Sequence, residues 1–218
     1  MASDHAPDVP RSRTKQSAAP GDVGARLRAQ REQSGIGLRE LARRLGISPS
    51  AISQIETGRS RPSVSTLYAI VSELGMSLDE LFGGRNGQVE ATVAADRVEA
   101  TPSPAPGRGG EVAEEPHVQR AARRKTLELE SGVRWERLTS HPDRLADFLY
   151  VVYDVGGSSN RDDRAIRHSG REYGLVLSGT LEVTVGFDRY ELGPGDSISF
   201  DSTVPHRLRN LGDEPAHG

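Results

Sequence analysis

The chain contains no cysteine. Disulfide staples, thiolate metal sites and a cysteine nucleophile are therefore excluded, and the lack fits a reducing compartment. Aromatic residues are scarce at 5%, with a single tryptophan, and the apolar fraction of 34% is low for 218 residues in one globule. The shortfall implies tails or linkers. No run approaches the roughly 20 apolar residues that cross a bilayer. The opening "MASDHAPDVPRSRTKQSAAP" lacks the apolar core of a secretory signal. A cytoplasmic protein without a membrane partner is expected. Excess basic charge is missing too, the net charge being -3. The whole chain is not a basic nucleic-acid binder, which leaves room only for a basic surface confined to one domain.

Composition divides the chain into four parts. Residues 1–20 read as a disordered arm, with Arg11, Arg13 and Lys15 near its end. Residues 21–83 carry helical periodicity. Residues 84–116 include "ATPSPAPGRGGEVAEEP" and read as a linker. Residues 117–218 hold short apolar runs between Gly, Asp and Pro turns, the pattern of an all-β domain.

The helical part parses turn by turn. Asp22 is an N-cap candidate, followed by Val23, Leu27 and Arg31, and "QSGIG" ends the helix. In "LRELARRLG", Leu38, Leu41, Ala42 and Leu45 form one stripe that Gly46 stops. In "ISPSAISQIETG", Ser48 suits the N-cap, Pro49 the first helical position and Gly58 the end. A fourth helix buries Val64, Leu67, Ile70, Val71 and Leu74, and a fifth presents Leu78, Leu81 and Phe82. The third helix is unusual. Only Ile52 and Ile55 face inward, and its outward residues Ser50, Ser53, Gln54 and Thr57 are small, polar and uncharged. A solvated helix face ordinarily carries Glu and Lys, whereas a face that approaches base edges needs short hydrogen-bonding groups without negative charge. Arg59 and Arg61 follow in "GRSRPS", placed to grip phosphates, and Arg39, Arg43 and Arg44 lie on the exposed side of the second helix.

The stretch "LRELARRLGISPSAISQIETGRSRPSVSTLYAIVSELGMSLDELF" resembles the lambda repressor and Cro type helix-turn-helix, the XRE family. The resemblance spans about residues 26–82 and rests on "ELA", the Gly-Ile-Ser turn, the recognition-helix ending and the following "RPS". It implies a five-helix DNA-binding domain that meets double-stranded DNA as a homodimer. Leu38 to Thr57 becomes the two-helix motif, and Ser50, Ser53 and Gln54 take base-reading positions. The DNA-facing set is then Leu38, Arg39, Ser48, Ser50, Ser53, Gln54, Thr57, Arg59 and Arg61. Arg31 and Glu56 match a structural pair that bridges the first and third helices in this family. The competing reading is a helical interaction module that binds no DNA.

From Asp147 the pattern has period two: "DFLYVVYDVG", "EYGLVLSG", "TLEVTV", "RYEL", "SISF" and "HRLRN" read as strands of a small barrel or sandwich. This half resembles the cupin family. His168, Glu172 and Gly179 match the first part of the cupin pattern, and Gly195, His206 and Asn210 the second. Ile166 stands where the pattern has another His, and Asp201 and Thr203 where it usually has Pro and Gly. The resemblance implies a jelly-roll β-barrel. Its mouth would hold either an effector pocket of Ile166, His168, Glu172, His206 and Asn210, or a divalent metal on His168, Glu172 and His206. Two imidazoles and a carboxylate are the ligand set of non-haem iron and also suit zinc, nickel or manganese. A plain hydrogen-bonded polar cluster is the third possibility.

A cupin normally continues past that Asn with an apolar strand, but "LGDEPAHG" holds no apolar run. A final strand is expected to be missing, with the barrel closed by a partner subunit or the chain shortened. Trp135 is expected in the core or a dimer contact, "RAARRK" as a solvated approach to the first strand, and His5, His117, His141 and His217 lack metal spacing. No catalytic nucleophile, acid or base stands out. The expectation is a two-domain α plus β regulator of transcription whose cupin domain senses a small molecule. The alternative is a cupin-type non-haem iron oxygenase that keeps a helix-turn-helix as scaffold.

Overall fold

The structure is a computed structural model and describes residues 23–82, 116–143, 145–160, 162 and 164–218. The expected arm 1–20, Asp22 and nearly all of the expected linker 84–116 lie outside the described residues.

The helical half begins with α1 (Val23–Gln33), α2 (Leu38–Leu45), α3 (Pro49–Glu56) and α4 (Val64–Leu74). The fifth expected helix is a single turn, α5 (Leu78–Leu81). The ends follow from local chemistry. Gly46 and Gly75 adopt the left-handed conformation that closes α2 and α4. The hydroxyls of Ser48 and Ser63 accept hydrogen bonds from the backbone N–H groups of Ala51 and Thr66. Leu27, Leu41, Ile52, Leu67, Ile70 and Leu81 make the centre of the core, each at most 2% exposed. At Gly24 the backbones of α1 and α3 touch, and a Cβ there would collide with the Ile55 carbonyl oxygen.

Helix α3 presents only Ile52 and Ile55 to this core as apolar anchors. A buried ion pair supplements them. Arg31 Nε and Nη2 donate to Glu56 Oε1 and Oε2 at 2.6 and 2.9 Å, and Arg31 Nη1 donates to the Ile36 carbonyl at 2.9 Å. The expected bridge between the first and third helices is therefore present, as a bidentate contact with both residues 7% exposed.

The second half is antiparallel β. One sheet has the order β1 (Thr126–Leu129), β2 (Val133–Arg137), β3 (Leu149–Tyr153), β9 (Ala216–His217). The strands β4 (Arg171–Leu175) and β7 (Ser197–Asp201) pair with each other. A third sheet runs β6 (Asp188–Leu192), β5 (Leu181–Val185), β8 (His206–Arg209). Isolated bridges Ser158–Arg209, Ile166–His206 and Ser178–His217 stitch the sheets together. Among the described residues no ladder closes these sheets into the continuous barrel that the sequence leads one to expect, because β4 and β7 pair only with one another.

The strands β1 and β2 follow "RAARRK" inside the expected β domain, and Trp135 is buried at their centre, one of its two expected places. One further point departs from expectation: the tail holds a strand. Ala216 pairs with Tyr153 and His217 with Val152, and Gly218 exchanges backbone hydrogen bonds with Val151. Backbone pairing needs no apolar run, and Ala216 alone is buried, so hydropathy gives no sign of it.

Breaking the buried pair should be costly: Arg31→Met is expected to destabilise the protein by about 3–5 kcal/mol. Arg31→Met combined with Glu56→Leu should recover part of that loss, as read by urea denaturation.

Candidate functional site

Two candidate sites emerge. The first is the outer face of α3. Ser50, Ser53, Gln54 and Thr57 are all exposed, and the one acid of the helix, Glu56, is buried against Arg31. Thr57 Oγ1 is spent on the Ser53 carbonyl at 2.7 Å, so it helps end the helix. Ser48 acts as the N-cap, and Leu38 is half-buried against the core. Arg39 and Arg59 are exposed. Arg61 is exposed too but reaches Glu128 of the β half at 3.7 Å. Arg43 and Arg44 pair with Glu40, and Arg44 also with Glu73, so these acids compete for them.

The second site gathers His168, Glu172 and His206. Glu172 lies on β4, opposite Phe200. His206 opens β8 and exchanges backbone hydrogen bonds with Ile166. His168 is fixed by its N–H to the Ser202 carbonyl at 3.0 Å. These tethers bring His168 Nε2 and His206 Nε2 to 2.9 and 3.0 Å from one oxygen, Glu172 Oε1. The three ligand atoms lie within 4.8 Å of one another. His206 is fully buried.

The outer nitrogens decide what the cluster can hold. His206 Nδ1 lies 2.9 Å from the Val204 carbonyl and His168 Nδ1 lies 3.2 Å from the Ser169 carbonyl. A carbonyl only accepts, so each Nδ1 carries a proton there, which leaves Nε2 as the ring atom that can face Glu172 or a cation. Both Nε2 atoms are buried, and neither has a hydrogen bond in line with its ring. Two ring nitrogens thus converge on one carboxylate oxygen. Such an arrangement calls for a positive charge between them, a proton or a divalent cation, and the donor set fits a cation. For Glu172, burial raises the carboxyl pKa, but the two imidazoles outweigh it and hold it down at about 2. For His206, burial lowers the pKa, yet Glu172 and the Val204 carbonyl raise it above the usual histidine value. Burial pushes the phenols of Tyr68 and Tyr153 up, so both stay protonated.

The remaining expected pocket residues have other work. Ile166 is buried in the core, bridged to His206. Asn210 is fully buried: its Nδ2 donates to the Tyr153 and Glu214 carbonyls at 3.0 and 2.7 Å, and its Oδ1 accepts from Gly212 N at 2.8 Å. It clamps the end of β8 to the tail. Sequence reasoning missed Tyr68 of α4, whose ring stacks on His168 with centroids 4.0 Å apart and planes 4° apart. Only its place between the buried positions of α4, on the face away from the helical core, marked it.

A helix-turn-helix half and a cupin half with a two-histidine, one-carboxylate cluster define the class. Residues 27–81 match the helix-turn-helix family and residues 138–218 the cupin domain family. The chain thus carries an XRE-type helix-turn-helix domain and a cupin domain. It is 25% identical over 187 residues to the HTH-type transcriptional regulator PuuR of Escherichia coli (strain K12), covering 86% of each chain. Its fold is similar to the crystal structure of an HTH_3 family transcriptional regulator from Vibrio cholerae, with a TM-score of 0.51 and 19% identity over 90% of this chain and 92% of that one. Hydroxypropylphosphonic acid epoxidase from S. wedmorenis is 21% identical over 91% of this chain and 95% of that one, but its TM-score of 0.38 is too low to bear on function.

Asn210→Ala strands the two carbonyls and the Gly212 N–H. It is expected to cost about 2–4 kcal/mol in thermal or urea unfolding, with the three ligand residues untouched.

Proposed function

We propose that the protein is a sequence-specific DNA-binding regulator of transcription, and that its cupin half senses a small molecule or metal rather than catalysing a reaction. The observation that carries this is α3. After Pro49, the exposed side chains of α3 are short, polar and uncharged, and a buried ion pair ties the helix to α1. Such a face meets base edges without repelling phosphates. The likeness to proteins named as transcriptional regulators supports the same reading. No helix among the described residues is long and apolar enough to cross a membrane.

In this reading Ser50, Ser53 and Gln54 read bases, and Arg39, Arg59 and Arg61 sit near phosphates. Leu38, Ser48 and Thr57 shape the motif. A homodimer presents two α3 helices to half-sites one turn apart, roughly 34 Å. The arm 1–20, the linker 84–116 and a jelly-roll form of the β half complete the proposed organisation. In the cupin half, His168, Glu172 and His206 would hold a divalent cation, which would supply Lewis acidity or an open coordination position for an effector. The chain's own part is to fix both imidazole tautomers and keep the carboxylate ionised. The same ligand set is the one observation that favours an iron oxygenase. That reading predicts iron-dependent oxygen consumption and no operator.

Selection of bound sites from random DNA tests the main reading, with a two-fold symmetric site as the expected outcome. Gln54→Ala should weaken binding to that site by about 1–3 kcal/mol and relax discrimination at one base pair. Equal loss on random DNA would remove Gln54 from the base-reading set.

Metal content is the second test. Protein prepared without chelators should take up one divalent cation per chain, measured by elemental analysis. Glu172→Ala and His206→Ala should abolish stoichiometric uptake. Uptake should also fall as pH drops, because protons compete for the lone pair of His206. A wild type that takes up no metal would reduce the cluster to a polar contact.

A further inference from the structure

The two halves meet along one side of α4. Its residues Val64, Leu67, Ile70, Val71 and Leu74 face the helical core. Ser65 and Tyr68, one turn apart, face the β half instead. The Ser65 N–H donates to the Ser159 carbonyl at 3.3 Å, and the Pro62 carbonyl just ahead of α4 accepts from Glu130 N–H at 2.9 Å. Tyr68 sits between two rings. Its edge meets Trp135 at 5.7 Å and 63°, and its face lies on His168 at 4.0 Å and 4°. A residue of the DNA-binding half therefore forms one wall of the His168–Glu172–His206 cluster.

We propose that Tyr68 is the positioning residue that completes this cluster and couples a divalent cation bound there to the DNA-binding helices. The inference rests on the reading of the cluster as a metal site. Without a cation, the His168 ring meets the Ser169 carbonyl at Nδ1, Glu172 Oε1 at Nε2, the edge of His206 and the Tyr68 face. A cation pins Nε2 and so fixes the plane of the imidazole. The face-to-face stack passes that plane to Tyr68, because tilting either ring breaks the contact. Tyr68 belongs to a helix whose opposite face is locked into the core that mounts α3: Leu67, its neighbour, is fully buried. Rotation or translation of α4 is thus the one motion that the ring and the core share. By linkage, a cation that favours one placement of α4 changes operator affinity, and operator changes cation affinity by the same factor.

The chain carries its own reporter. Trp135 is its only tryptophan and touches Tyr68. Zinc serves as the probe because it is d10 and redox-silent, so an emission change reports a moved ring. The full chain is titrated with zinc, and its affinity for the selected operator is measured with and without zinc, as wild type, Tyr68→Phe and Tyr68→Leu. Each variant is its own reference, so a general loss of stability does not imitate the effect. In the wild type, Trp135 emission should change along the zinc-binding isotherm and operator affinity should shift at least about fivefold. Tyr68→Phe keeps the stack and should keep both responses. Tyr68→Leu should still take up one zinc, with both responses lost. Zinc uptake with the same operator shift in Tyr68→Leu as in wild type would overturn the proposal. So would a wild type that binds zinc without any change in Trp135 emission or operator affinity. No zinc uptake by the wild type is a different failure: it removes the metal reading of the cluster, and this proposal with it.

Discussion

Helix α3 brings only two apolar anchors, Ile52 and Ile55, to the core, and non-directional burial of two side chains does little to fix a helix's orientation. The contact between Arg31 and Glu56 resolves that problem, and the function proposed for the helical half depends on it. Beyond Pro49, the exposed positions of α3 are Ser50, Ser53 and Gln54, so little apolar surface remains for the core. A bidentate guanidinium–carboxylate contact fixes both distance and orientation, which apolar packing of two isoleucines does not. The same contact removes the only acid of α3 from its surface. One interaction therefore mounts the helix and clears its face of negative charge.

The β half uses charge in the opposite sense. At the cluster, two imidazoles converge on one carboxylate oxygen, and backbone carbonyls hold their outer nitrogens. The fold sets two ring nitrogens against one negative charge, and a proton or a cation between them balances it. The stitches around it are backbone hydrogen bonds, Ile166 to His206 and His168 to Ser202, so the ligand atoms do not depend on long side-chain networks for their placement.

Much of this is legible in the sequence. The helix boundaries follow from Ser48, Pro49, Gly46 and Gly75, whose conformational preferences act within a turn. The buried positions of α4 follow from spacing, and the His168–Glu172–His206 cluster from the cupin pattern. The unreadable parts share a cause: each depends on chain segments distant in sequence. The tail strand Ala216–His217 is made by backbone pairing with β3, which hydropathy does not record. Asn210 matches the pattern of a pocket residue, but the carbonyls that claim it come from Tyr153 and Glu214. Tyr68 looks like a surface residue of a small helical domain until the β half is set against it.

The crossing at Gly24 has a consequence of its own. There the backbones of α1 and α3 touch, with no side chain between them to act as a spacer. The separation of the two helices is set by peptide atoms, which substitution does not alter. The exposed positions of α3 can therefore vary without shifting the platform beneath them. Platform and reading surface are separable inheritances: a lineage can rewrite the residues presented to the duplex while the geometry of presentation stays constant.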